Sequence, residues 1–174
     1  MRVSHLLILL LVSGCGGGGG YAASGDPHFS GLSCAPFARA ETGVDLHGAA
    51  ADWWTSADGR YERSHDPVVG SILVLDRESR LPSGHVAVVS RLAGPRRIEV
   101  VQANWVPGEL ARDQPVIDVS EDGDWSMVRI WYPPVRAMGN HAYPALGFIV
   151  PQRPMSREAL DLRADRAAEV AAGS

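Results

Sequence analysis

The chain is poor in cysteine, with two in 174 residues, which excludes a small domain stapled by disulfides. It also lacks an excess of positive charge: 16 Lys and Arg stand against 20 Asp and Glu, for a net charge of −4. Binding to nucleic acid through bulk charge is therefore not expected. Charged residues make up only 21% and apolar residues 45%, the opposite of a disordered tail. No His-Glu-x-x-His or Cys-x-x-Cys spacing occurs. Asp26-Pro27-His28 and His65-Asp66-Pro67 read as solvated loops, so neither a metal nor a cofactor is expected. Internal repeats are absent. What remains is ordinary globular composition in a chain long enough to bury roughly two-thirds of its surface.

Long hydrophobic runs are scarce too. Residues 6–12 form one continuous apolar stretch behind Met1-Arg2. That is too short to cross ~30 Å of hydrocarbon and fits a secretory leader. Val12-Ser13-Gly14-Cys15 follows and resembles the bacterial lipobox, in which cleavage leaves a lipid-bearing cysteine as the first residue. The expectation is a signal peptide over residues 1–15 with lipidation at Cys15, then a glycine-rich tether over 16–25. A lipid anchor attaches the protein to a membrane on the periplasmic side of the envelope. The resemblance to lipoproteins implies, with Gly16 in place of Asp, the outer membrane over the inner one, and secretion is the alternative. With Cys15 lipidated, Cys34 has no disulfide partner, so it is expected to be reactive or deeply buried.

The pattern beyond residue 32 predicts helices first and antiparallel strands after, an α+β arrangement. Residues 33–43 read as a helix with Ser33 as N-cap, Pro36 in the first turn and Gly43 as its stop. Residues 45–57 read as a second helix. Strands are predicted at 68–75, 84–90, 97–105, 116–119, 127–132 and 148–150. Residues 152–174 read as a C-terminal tail able to form an alanine-rich helix.

Two regions carry chemistry. Cys34 stands in the first turn of its helix, where unpaired N–H groups and the helix dipole favour thiolate and would meet an oxyanion. His85 begins a strand, and Gln102 and Asn104 share one face of the next. If Val89 opposes Ile98, His85 faces Gln102; if Ser90 opposes Glu99, it faces Asn104. Either amide holds an imidazole N–H, giving a nucleophile, a base and an orienting group.

Five pieces in this order resemble the CHAP domain, the cysteine- and histidine-dependent amidohydrolase/peptidase family of papain-like fold. They are Ser33-Cys34-Ala35-Pro36-Phe37-Ala38-Arg39, Gly48-Ala49-Ala50-Ala51-Asp52-Trp53-Trp54, Val69-Gly70-Ser71-Ile72-Leu73-Val74, Gly84-His85-Val86-Ala87-Val88-Val89 and Gln102-Ala103-Asn104-Trp105. The resemblance implies a CHAP-like catalytic domain over residues 26–151, its helices packed on an antiparallel sheet or half-barrel. It implies an amidase or endopeptidase acting on peptidoglycan through a thioester, with Cys34 as nucleophile and His85 as base. Many members carry Glu where Gln102 stands and Gln where Ser33 stands. Gln102 cannot stabilise imidazolium by charge, which makes Asn104 the expected orienting amide. Ser33 is expected to offer its hydroxyl to the oxyanion or to cap the helix. Trp105, at a strand end, is the candidate wall of a substrate cleft. The alternative these departures raise is a non-catalytic, cell-wall-binding lipoprotein with a degenerate CHAP groove.

Overall fold

The computed structural model describes residues 33–153 and 156–172. The expected signal peptide, Cys15 and the glycine tether lie outside the described residues.

Helix α1 (Cys34–Thr42) ends where predicted, at Gly43, whose φ of 72° is left-handed. Its amide donates to the Arg39 carbonyl. Ser33 sits in the N-cap position with extended dihedrals, but its side chain makes no capping hydrogen bond. The first turn is closed by Phe37 N–H to the Ser33 carbonyl at 3.1 Å. Helix α2 is much shorter than the predicted 45–57, spanning only Asp52–Ser56. Gly48 at φ 84° breaks the run. Val44 and Leu46 are buried before the break, and Trp53 after it.

The strands are β1 (Glu62–Ser64), β2 (Ile72–Leu75), β3 (His85–Gly94), β4 (Arg97–Ala103), β5 (Leu110–Asp118), β6 (Met127–Tyr132), β7 (Ala137–Met138) and β8 (Tyr143–Val150). The strand predicted from residue 68 starts later because Gly70, at φ 87°, turns the chain. Helix α3 (Arg157–Ala172) follows. All pairings are antiparallel, in the order β1-β8-β2-β3-β4-β5-β6-β7, and β8 pairs with β6 as well as with β2. The sheet therefore closes on itself. Of the expected α+β fold, the antiparallel sheet with helices packed on it is present, and the sheet closes into a barrel that is mostly strand, with few helices. The reason lies in β8, whose eight residues far exceed the apolar run at 148–150 and reach both neighbours. Gly147, at φ 128°, lies so close to Trp54 and the Ser64 carbonyl that a Cβ would meet either at 2.7 Å.

Closure makes both faces of the central strands apolar, and all four residues of β2 are buried. Ile72, Val74, Val86, Val88 and Val101 face outward under Phe37, Ala38, Trp53 and Leu160 of the three helices. Leu73, Leu75, Ala87, Val89, Val100 and Phe148 fill the barrel. Each Val, Leu, Ile and Phe among them contributes about 1.5–3 kcal/mol on burial. The end of the barrel where β3 starts and β4 stops is the one that holds the candidate residues.

Candidate active site

The residue before β3 fixes how closely the elements meet. Gly84, at φ 70°, lies against α2's approach: a Cβ there would meet the Leu75 carbonyl at 2.5 Å and Ala51 at 2.7 Å. The Ala51 amide donates to the Ser83 carbonyl at 3.0 Å. This packing places His85 at the barrel mouth, only 4% exposed.

Alternation along β3 and β4 sends His85 inward with Ala87 and Val89, and Gln102 inward with Val100. Their side chains meet, with His85 Nε2 2.9 Å from Gln102 Oε1. An amide oxygen only accepts, so Nε2 carries the proton and Nδ1 keeps a free lone pair. The strand register pairs Val88 with Val101 and Val89 with Val100. Continued to the strand ends, that register sets Asn104 across from His85, yet the hydrogen bond expected of Asn104 comes from Gln102. The cause is backbone conformation. Asn104 has left-handed dihedrals (φ 63°), is exposed, and spends its Oδ1 on the Gly108 amide at 2.9 Å. Gln102, one diagonal position away, is long enough to reach.

Cys34 stands at the N-terminus of α1, half-buried against the outer layer. Burial pushes its thiol above the ordinary value, against hydrogen bonds from the backbone N–H groups of Val86, Ala35 and Cys34 itself. The thiolate expected from the helix tip is thus outweighed by desolvation. Burial likewise depresses His85 to about 4, although the Gln102 hydrogen bond supports its charged form. At neutral pH both groups are uncharged. The Val86 backbone, next to His85 in the chain, is among the groups that favour the Cys34 thiolate.

Ser33 is exposed beside Cys34. Trp105 packs edge-on to His85, with ring centroids 5.1 Å apart, and its indole N–H donates to the Trp131 carbonyl at 3.2 Å. It also lines a cavity of about 590 Å³ together with Tyr143, His141 and Arg80. Sequence reasoning missed those three. They are spread over more than 60 positions, and no spacing rule joins them. Among the described residues, no cluster of His, Cys, Asp and Glu is arranged to hold a metal, and no helix is long and apolar enough to cross a membrane.

Residues 23–104 match the family model described as CHAP domain. That segment is similar to CHAP domains, which are generally of hydrolase type and suggest amidase or peptidase activity related to peptidoglycan. The matched segment runs from before α1 to the end of β4 and contains Cys34, His85, Gln102 and Asn104. The strands that complete the barrel, β5, β6 and β8, lie past it. No curated protein matches the chain.

Proposed function

We propose that the protein is a cysteine-dependent amidohydrolase that cuts amide bonds in peptidoglycan, using a papain-like set of a helix-tip cysteine, a barrel-edge histidine and an orienting amide. His85 Nδ1 removes the Cys34 proton, and the sulfur attacks the amide carbonyl. Backbone N–H groups at the start of α1 receive the oxyanion, at about 3 kcal/mol per donor. The imidazolium returns its proton to the leaving amine, and water activated by the same nitrogen cleaves the thioester. The observation that supports this reading is the hydrogen bond of His85 Nε2 to Gln102 Oε1 at 2.9 Å, in a segment that, with Cys34 at its helix tip, matches the CHAP family model. Because the resting pair is neutral, proton transfer accompanies attack. Cys34→Ala is expected to abolish lysis of purified sacculi while leaving the melting temperature unchanged; undiminished lysis overturns the reading.

A second reading has its own support. His85 is almost fully buried and no carboxylate orients it, which fits a cell-wall-binding protein with a degenerate groove. The two separate cleanly: a binder retains sacculi without releasing soluble fragments, and its Cys34→Ala variant retains them equally. For location, the reading is a lipid anchor at Cys15 on the periplasmic side, in the outer membrane by preference. Cys15→Ala is expected to move the protein from the membrane to the soluble fraction.

A further inference from the structure

Helix α3 lies past the CHAP match and is fastened to the domain mostly by charge. Among the described residues, Leu160 is its one side chain in the buried core, in the outer layer that also holds Phe37 and Ala38 of α1. Arg163 Nη1 donates to the carbonyls of Ala40 and Glu41, each at 3.1 Å. Arg112 of β5 pairs with Asp165, and Arg157 reaches Asp113 of β5 at 2.9 Å and Glu99 of β4 at 3.8 Å. Partly exposed ion pairs contribute little, so a helix held by them and one aliphatic anchor can open locally while the barrel stays folded.

One acid lies at this seam without a partner. Glu41, whose backbone carbonyl accepts from Arg163, is 1% exposed, and its Oε2 has no hydrogen-bond partner among the described residues. The charged groups acting on it are Arg163 from α3 and Arg112 from β5. Both are engaged elsewhere, Arg163 Nη1 with backbone carbonyls and Arg112 Nη1 with Asp165. Among the described residues no ion pair joins either of them to Glu41. A carboxylate formed there is buried with an unbonded oxygen, whereas the protonated acid carries no charge to desolvate. Burial accordingly raises Glu41 to about 7, against the pull of the two guanidiniums.

We propose that α3 is a detachable clip on the helix that bears Cys34, docked while Glu41 keeps its proton and released as that carboxyl ionises. With α3 lifted away, water reaches Glu41 and its pKa returns to the ordinary 4.5, so the docked state holds the proton more tightly. The proton's contribution to docking is complete below pH 4.5 and is lost as pH rises to about 7. Hydrogen exchange of the full chain, read by mass spectrometry and corrected for the intrinsic rate at each pH, tests this. Between pH 5 and 7, protection of residues 157–172 is expected to fall by up to about tenfold per pH unit, a fall that β2 and β8 do not share. Glu41→Gln is expected to make that protection independent of pH in the same range. Leu160→Val is expected to lower it at every pH and to keep the slope, which separates a weakened anchor from a missing proton. Wild-type protection that stays flat or rises with pH, an equal fall in β2 and β8, or an unchanged slope in Glu41→Gln overturns the proposal. No arm of the experiment needs turnover, so loss of the hydrolase reading leaves its result standing.

Discussion

The two ends of helix α1 are treated in opposite ways. At the C-terminal end the carbonyls of Arg39, Ala40 and Glu41 are drawn into bonds. Thr42 Oγ1 donates to the Ala38 carbonyl at 2.6 Å, the Gly43 amide to Arg39, and Arg163 from α3 to the carbonyls of Ala40 and Glu41 at 3.1 Å. At the N-terminal end the Ser33 side chain leaves the cap unmade, and nearby backbone groups favour the Cys34 thiolate. One end is closed by the protein itself; the other keeps its donors for something else. Both ends also hold an acid whose pKa burial raises. Cys34 is pushed up by burial, and Glu41, 1% exposed, is raised to about 7 by burial despite Arg163 and Arg112 nearby.

Mutation at each end should therefore give opposite phenotypes. Cys34→Ala is expected to remove sacculus lysis, a fall of roughly 10³-fold or more, with stability unchanged. Arg163→Ala is expected to cost about 1–3 kcal/mol in urea unfolding and to leave thiol chemistry intact. A stability loss at Cys34 comparable to that at Arg163 would erase the contrast.

The orienting amide sharpens it next. Gln102→Ala leaves the buried His85 N–H without a partner, at about 1–3 kcal/mol, and frees the ring to turn. Gln102→Glu places a carboxylate on the imidazole, which favours its charged form and raises its pKa. The acid limb of the rate profile should then move to higher pH, and a pH–rate series on the two proteins checks it.

The third contrast concerns stability against pH. His85 is held at about 4, below its ordinary 6.5, so the unfolded chain takes the proton first. Its contribution is lost as pH falls from about 6.5 to about 4. Glu41 is raised from 4.5 to about 7, so the folded chain keeps the proton longer. Its contribution is lost as pH rises from about 4.5 to about 7. The slopes oppose each other in the shared window, and wild-type stability should be nearly flat there. Glu41→Gln should uncover the His85 slope, at most about 1.4 kcal/mol per pH unit, in thermal melts between pH 4.5 and 6.5. The smallest effect is expected of Asn104→Gly. Glycine tolerates its left-handed backbone, so stability should change by no more than about 0.5 kcal/mol and the histidine titration, followed by NMR, should not move.

Much of the candidate site was readable from local rules. A proline in a first turn and a glycine at the stop bound α1, and the Gly94-Pro95 hairpin confined His85 to two opposing amides. The choice between those amides was not readable. It turned on the left-handed dihedrals of Asn104 and a register shift near the hairpin, and neither leaves a pattern in composition or periodicity. Helix α2 was overread because its apolar residues fall at helical spacing, while Gly48 breaks the backbone locally.

Residue order alone was enough to mark the cysteine at a helix start, the histidine at a strand start and their resemblance to CHAP domains, since capping, dihedral preference and alternation act over a few neighbours. Closure of the barrel, burial that keeps Cys34 and His85 neutral, and the meeting of Arg80, Trp105 and Tyr143 around one cavity belong to the tertiary structure. Desolvation and side-chain convergence depend on what other parts of the chain exclude from water, and no local rule carries that information.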